Sequence, residues 1–158
     1  MNYRVKEIIC VLFLIAFGFA CTLTKQYRDT DISVYAQELA DMTADRITEF
    51  DSSRLKKDYG YGFGGFSQVC YYGFETVMES QTLLVIKFDE ASKEEAESLY
   101  ESIKLKRESL KELFHSYAID QYELLDNSIL SIEGNYLFYC VSKDAQAVHE
   151  RFLEKVSR

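Results

Sequence analysis

The sequence of 158 residues has no proline and no tryptophan, only two histidines, and fewer basic than acidic side chains. Because no proline is present, the ends of its helices must be set by other signals. With 18 Lys and Arg against 26 Asp and Glu, the formal charge is -8. Phosphate backbones are bound by concentrated basic surfaces, so we expect no nucleic acid partner.

Catalytic and metal-binding patterns are equally scarce. His115 and His149 fall on predicted helices, without HExxH spacing and without a neighbouring cysteine. The sequence has no CxxC pair and no G-x-S-x-G motif. Carboxylates are plentiful, but those from Glu94 to Glu112 lie on the polar face of a long predicted helix, where solvation explains them. We therefore predict no catalytic residue, no metal and no cofactor.

The chain contains enough apolar residues to form the core of one folded domain. Apolar residues make up 47% and aromatic residues 15% of the composition, which is too apolar for an intrinsically disordered chain. A chain of 158 residues has the length of one domain plus its terminal segments.

The N-terminal segment has the pattern of a targeting signal. Arg4 and Lys6 precede an uncharged run at residues 8–20, which is shorter than the ~20 apolar residues of a membrane-spanning helix. Small residues, Gly18 and Ala20, stand three and one positions before Cys21. This small-x-small pattern is typical of a signal-peptidase site.

Two interpretations of this segment remain open. Residues 1–20 are either a lipoprotein-type signal peptide, with Cys21 as the site of lipid attachment, or an uncleaved N-terminal anchor. Both predict a protein at the cell membrane whose remaining domain faces outside the cytoplasm. Because that domain is acidic, its attachment to the membrane must come from the lipid or the anchor.

Cys70 and Cys140 are the cysteines that remain outside the leader. Each falls in a stretch with the pattern of a β-strand. One disulfide between them and two free buried thiols are both compatible with the sequence.

The rest of the chain predicts a short polar tether at residues 21–30 and a single α+β domain at residues 31–158. Hydrophobic spacing predicts three helices that begin near Asp31, Ser92 and Ser142, and four strands at residues 68–77, 82–88, 129–132 and 136–141. The order is α-β-β-α-β-β-α. We expect an antiparallel sheet of about four strands, formed by two hairpins, with the helices packed on one face.

Local signals sharpen three of these elements. Ser92 and Glu95 have the spacing of a capping box at the start of a long helix, predicted at residues 93–117. Gly134 and Asn135 form a hairpin-turn dipeptide between the last two strands. The strand at residues 82–88 is almost continuously apolar, which is typical of a strand covered on both faces.

Aromatic side chains crowd into residues 59–74, which lead into the first strand and include most of it. Four of them are candidates for a surface that binds a ligand or a partner: Tyr59, Tyr61, Phe63 and Tyr72. Side chains of this kind suit sugars, peptides or proteins. Strand alternation predicts that one of Tyr71 and Tyr72 points outward.

Three stretches resemble the DUF4358 family. They are the Tyr59-Gly60 pair, the segment VIKFDEASKEEAESLYESI ending at Ile103, and the segment LSIEGNYLFYCVSKDAQAV ending at Val148. The likeness covers about residues 31–156. Members of this family are often lipoproteins and have no assigned activity. The resemblance therefore implies a lipid-anchored protein and supplies no catalytic residue.

The sequence thus predicts a membrane-anchored domain outside the cytoplasm, non-enzymatic and associated with an envelope protein or a small ligand. The alternative is a hydrolase directed at cell wall or peptides, using carboxylates that sequence spacing cannot pair. A cleft in which two or more carboxylates converge would favour the enzyme.

Overall fold

The computed structural model describes residues 26–43, 47–76 and 78–157. Its helices are α1 (Ser33–Asp41), α2 (Ser52–Tyr59), α3 (Lys93–Phe114), α4 (Ile119–Asp126) and α5 (Ala145–Val156). Its strands are β1 (Thr48–Glu49), β2 (Gln68–Gly73), β3 (Thr82–Lys87), β4 (Ile129–Glu133) and β5 (Tyr136–Val141). The predicted leader and Cys21 lie outside the described residues. None of the helices in the described ranges has the length and apolar character needed to cross a bilayer.

The strands form one antiparallel sheet in the order β1-β2-β3-β5-β4. Two hairpins, β2–β3 and β4–β5, are joined side by side through the pairing of β3 with β5. This confirms the predicted α+β class and both hairpins, and Gly134 has the positive φ of 62° that its turn requires. The two-residue strand β1 adds a fifth, edge strand that the sequence did not predict.

The register defines two ends of the sheet. At one end Thr82 lies opposite Gly73 and Val141; at the other Lys87 lies opposite Gln68 and Tyr136. We call these the Thr82 end and the Lys87 end.

Helices cover both faces of the sheet, so the prediction that they pack on one face is wrong. Helices α1 and α5 pack on the face that carries Leu83 and Val85. Helices α2, α3 and α4 pack on the face that carries Leu84 and Ile86. These four residues of β3 are all 0% exposed. Burial of each of these side chains stabilises the fold by about 2 kcal/mol. A sheet covered on one face only would leave two of the four side chains in contact with solvent.

The predicted capping box at the start of α3 is also wrong. The side chain of Asp89 accepts hydrogen bonds from the amide and the hydroxyl of Ser92, each at 3.0 Å. A 3₁₀ turn, Glu90–Ser92, precedes the helix, so the capping side chain is Asp89, three residues before the predicted Ser92. The carboxylate of Glu95 instead lies against Gly65. The helix itself begins at Lys93, as predicted, and ends three residues early at Phe114.

Helix α2 lies in a segment that the sequence pattern assigned to a connection. Asp51 caps it by accepting a hydrogen bond from the amide of Ser53 at 2.9 Å. Gly60 ends it with a φ of +86°, a left-handed conformation that favours glycine. Its short length and its single buried residue, Leu55, leave no hydrophobic stripe to recognise.

The last residues of the predicted tether are held against the fold at the Lys87 end. Tyr27 pairs with Ser157 in an antiparallel bridge, and Tyr27 packs on Gly134. The amide of Thr30 donates to the Tyr136 hydroxyl at 2.8 Å. The chain therefore joins the domain beside the β4–β5 turn.

Ser142 donates to the carbonyl of Thr43 at 3.2 Å and accepts from the amide of Asp144 at 3.1 Å. It therefore initiates the turn that leads into α5, close to its predicted capping role. Helix α5 starts three residues later, at Ala145.

Both domain cysteines are free and buried. Cys70 lies on β2 and Cys140 on β5, with β3 between them. Two strand spacings separate these strands by about 10 Å, and a disulfide requires Cα atoms within about 7 Å. Strand order thus excludes the disulfide that the sequence left open.

We expect both thiols to be inert in the folded protein and free after unfolding. Burial raises the pKa of Cys70 to about 11 and that of Cys140 to about 12, so little reactive thiolate exists at pH 8. Peptide mapping after iodoacetamide treatment should show slow modification in buffer and complete modification in urea without reductant. Modification that requires a reductant would contradict the structure.

Candidate functional site

Two adjoining depressions lie at the Thr82 end of the sheet. The first, which we call the Asp58 cleft, has a volume of about 100 Å³ and is bordered by α2, α3 and the β2–β3 turn. The second, which we call the acidic groove, has a volume of about 440 Å³ and is bordered by α4, the β2–β3 turn and the end of β5. Glu79 and Gln81 line both.

Asp58 is the centre of the first cleft. Its side chain is 13% exposed and forms ion pairs with Arg54 at 2.6 Å and with Lys106 at 3.2 Å. The hydroxyl of Tyr71 donates to the same carboxylate at 2.8 Å. Burial alone would raise the pKa of Asp58, but the hydrogen bonds from Arg54 and Tyr71 and the charge of Lys106 lower it below its usual value.

Both cations of this cleft are also engaged with aromatic rings. The guanidinium of Arg54 lies 4.4 Å from the centre of the Phe50 ring, and the ammonium of Lys106 lies 4.7 Å from that of Tyr59. Burial raises the pKa of Tyr59 and Tyr71 well above the usual range, so both phenols are neutral donors. The Asp58 carboxylate is therefore matched by two cations, and Glu79 is the second acid that lines the cleft.

The acidic groove has the opposite character. Its charged lining consists of the carboxylates of Glu79, Asp120 and Glu123 and the ammonium of Lys143, and all four residues are exposed. No ion pair is formed by these four side chains within the described ranges. Three negative charges against one positive charge leave the groove acidic.

A buried glutamine forms the floor of this groove. Gln121 is 8% exposed, and its side-chain oxygen accepts from the amide and the hydroxyl of Ser80 at 2.9 and 2.8 Å. Its side-chain nitrogen is therefore directed toward two carboxylates, Asp120 at 3.2 Å and Glu79 at 3.4 Å. The Gln121 amide group thereby brings together Glu79 and Asp120, two acids that are 41 positions apart in the sequence.

Gln81 stands between the two depressions. It is 7% exposed, and its side-chain oxygen is buried without a hydrogen-bond partner among the described residues. An unpaired buried polar oxygen of this kind costs about 1–3 kcal/mol. Such a cost is commonly retained where a ligand supplies the missing partner.

The fold that holds these depressions can be assigned to a family. The model of a family described as a domain of unknown function, DUF4358, matches residues 40–142, well over half of the chain. The chain belongs to the DUF4358 family. The match confirms the predicted family and includes all five strands and every lining residue of the two depressions except Lys143. No curated protein and no solved structure is significantly similar to the chain.

The DUF4358 domain separates the aromatic residues that the sequence grouped as one surface. Tyr59, Tyr61 and Phe63 pack on the α2–α4 face of the sheet, and of these only Tyr59 lines the Asp58 cleft. Tyr72 is 5% exposed and packs on the opposite face against α1 and α5. Because both faces are covered, the prediction that one of Tyr71 and Tyr72 points outward is wrong. A ligand-binding role for the four residues stays a prediction.

One ring nitrogen of His149, a residue beyond the matched range, faces both a serine and an acid. Nε2 of His149 lies 3.2 Å from the Ser131 hydroxyl and 3.7 Å from the Glu133 carboxylate. A Ser-His-acid relay needs the serine and the acid on opposite ring nitrogens. His115 ends α3 and packs edge-on against Tyr122. Over residues 26–43, 47–76 and 78–157, no three His, Cys, Asp or Glu side chains are grouped to hold a metal ion.

The residues of the acidic groove were missed because they carry no shared local pattern. Glu79 and Gln81 precede β3, whereas Asp120 and Gln121 open α4, a helix that the sequence assigned to a loop. The one available signal was Gln121, a polar residue among the apolar positions of that segment.

We expect Asp58→Asn to destabilise the DUF4358 domain at neutral pH and to lose that effect in acid. Removing one partner of a buried ion pair costs about 3 kcal/mol. Because the folded-state pKa of Asp58 is lowered, its stabilisation is present above pH 3.8, the ordinary value, and is lost as the pH falls through the folded value. Urea unfolding followed by circular dichroism should show the two curves converging below that pH.

The matched control is Glu112→Gln, which removes an exposed carboxylate on α3. It should change the free energy of unfolding by less than about 0.5 kcal/mol. A constant difference between Asp58→Asn and the unmodified protein from pH 7 into acid would contradict the role of the Asp58 charge.

Proposed function

We propose that this DUF4358 protein is a membrane-anchored domain that works outside the cytoplasm and binds an envelope protein or a small ligand without catalysis. The observation that carries the proposal is the placement of the depressions relative to the tether. Residues 27–30 join the fold at the Lys87 end, and both depressions open at the Thr82 end.

The length of the sheet separates the tether from the two depressions. Strand β3 from Thr82 to Lys87 spans about 17 Å. A leader that is cleaved before Cys21 would leave only a few residues before Tyr27, which is already held by Ser157. Such a short connection would keep the Lys87 end next to the bilayer. The depressions would then face away from the membrane, where a soluble partner can reach them.

The anchor is supported by the sequence of the leader. Residues 8–20 form an uncharged run behind Arg4 and Lys6, and Gly18 and Ala20 precede Cys21 in the pattern of a cleavage site. Lipidation of Cys21 supplies the attachment that an acidic domain does not obtain from anionic headgroups. One lipid chain alone binds weakly, and the two chains of a diacylglycerol anchor stably.

A binding role is supported by the electrostatics of the Asp58 cleft. A general acid or base needs a group whose proton can move, and the Asp58 carboxylate is held by two cations and a phenol. Those partners stabilise the Asp58 anion, so this carboxylate is not free to act as a base. The arrangement rigidifies the contact between α2, β2 and α3.

A hydrolase that uses Glu79 and Asp120 is the second candidate. The observation that favours it is their shared contact with the Gln121 amide. A carboxylate pair for acid-base hydrolysis requires one protonated member, which buried apolar surroundings normally provide. Glu79 and Asp120 are both exposed, and each accepts a hydrogen bond from the side-chain amide of Gln121. Their surroundings therefore suit binding better than proton transfer.

Lipid attachment predicts a defined mass for the protein extracted from membranes with detergent. We expect loss of residues 1–20 and a diacylglycerol-sized increment on Cys21. Cys21→Ser should abolish both changes, because the thiol is the acceptor. Cys10→Ser, inside the leader, is the matched control and should leave processing intact. An unmodified full-length mass would contradict lipidation and favour the uncleaved anchor.

The orientation of the domain can be tested on intact cells with a large, membrane-impermeant maleimide. Asp144→Cys lies beyond β5 at the Thr82 end, and Glu90→Cys lies beyond β3 at the Lys87 end; both replace exposed acids. We expect both cysteines to be labelled before lysis, with Asp144→Cys labelled faster because it is farther from the bilayer. Labelling only after lysis would place the domain in the cytoplasm and overturn the proposal.

A further inference from the structure

We infer that the acidic groove is a binding site for the primary ammonium group of a small organic ligand. The inference names the ligand class for the Thr82 end and in this sense rests on the proposed binding function. It is carried by two independent observations, the unpaired oxygen of Gln81, a residue that lines the groove, and the excess of carboxylates among the other lining residues.

Gln81 specifies what the ligand must donate. Its side chain lines the groove, and its buried oxygen lacks a hydrogen-bond donor among the described residues. Removing this oxygen from water without a new hydrogen bond is unfavourable, yet the folded protein keeps it buried. A ligand with an N–H or O–H donor at this position would remove the penalty.

The charges of the groove specify a cation. Glu79, Asp120 and Glu123 outnumber Lys143, and acidic side chains repel an anionic or carboxylate-bearing ligand. An ammonium group carries three donors and no acceptor, which matches a site where acceptors are in excess. A neutral hydroxyl would satisfy Gln81 but not the carboxylates.

The donors of two neighbouring side chains, Gln121 and Ser142, are already engaged, which preserves this excess. Both side-chain N–H groups of Gln121 are directed to Glu79 and Asp120, and the hydroxyl of Ser142 donates to Thr43. The bonds from Gln121 also fix the two carboxylates on one side of the groove. The site is therefore organised before a ligand arrives, which lowers the entropy lost on binding.

The size of the groove favours an organic cation over a bare metal ion. Its volume of about 440 Å³ lies within the range of small-molecule sites, ~300–1,000 Å³. A calcium or magnesium ion instead needs oxygen ligands within about 2.6 Å on several sides. An alkyl amine, an amino sugar or the side-chain amine of a peptide has the matching chemistry.

The probe for this site is 1,5-diaminopentane, titrated into the full chain in detergent and followed by NMR. We expect saturable shifts of the side-chain amide signals of Gln81 and Gln121. The matched diol, 1,5-pentanediol, should produce no saturable shift, because it lacks the charge. Affinity should fall as salt is raised, since the carboxylates are exposed.

Three substitutions give distinct expected effects on the affinity for the diamine. Asp120→Asn should weaken it about tenfold through loss of a charge-assisted contact. Lys143→Gln should strengthen it about threefold, because a competing cation is removed. Glu97→Gln, an exposed acid of α3 away from the groove, is the control and should leave the affinity unchanged.

Gln81→Met distinguishes a ligand contact from a structural role. Methionine removes the buried oxygen while keeping a similar volume, so the protein should unfold at a higher urea concentration. The same variant should bind the diamine about fivefold more weakly. A merely structural glutamine would change stability and leave the affinity unmoved, and that result would overturn the role of Gln81.

Several outcomes would overturn the inference. These are equal binding of the diol, absence of saturable shifts, or calcium binding that displaces the diamine and is lost in Asp120→Asn. None of them affects the mass of the Cys21 product or the labelling of intact cells, so the proposed location would stand. Conversely, a cytoplasmic orientation would overturn the proposed function and leave the measured ammonium site in place.

Discussion

Burial of β3 and β5 on both faces is the constraint on which the rest of the structure depends. Leu83 and Val85 require a cover on one side, and Leu84 and Ile86 require one on the other. Helices are therefore divided between the faces, α1 and α5 against α2, α3 and α4. Connecting loops run over the surface beyond the strands. At the Thr82 end these loops meet the helices, and the two depressions lie there.

The two depressions use the same residue types for opposite purposes. In the Asp58 cleft one acid is matched by two cations and a phenol, so its hydrogen-bonding capacity is consumed within the fold. In the acidic groove three acids face one lysine, and Gln81 keeps a buried oxygen for which the described part of the chain supplies no donor. The first arrangement stabilises the domain. The second leaves charge and hydrogen-bonding capacity unused, which is the physical basis of the proposed ammonium site.

Much of the fold could be predicted because its signals are local. The apolar run of β3 and the glycine turn before β5 each depend on neighbours within a few residues, and the structure confirms both. Predictions failed where the deciding partner was distant or the element was short. The 3₁₀ turn moved the cap of α3 from Ser92 to Asp89, and α2 was too short for its periodicity to be recognised.

The sequence by itself determined the α+β class and the hairpins, because these are carried by spacing along the chain, and its resemblance to the DUF4358 family indicated the family. Only the tertiary structure decided that helices cover both faces, that Cys70 and Cys140 lie on strands too far apart to pair, and that Gln121 joins Glu79 to Asp120. Hydrogen-bond satisfaction and burial depend on which distant segments meet. No local pattern encodes that a particular oxygen, such as that of Gln81, will be buried without a partner.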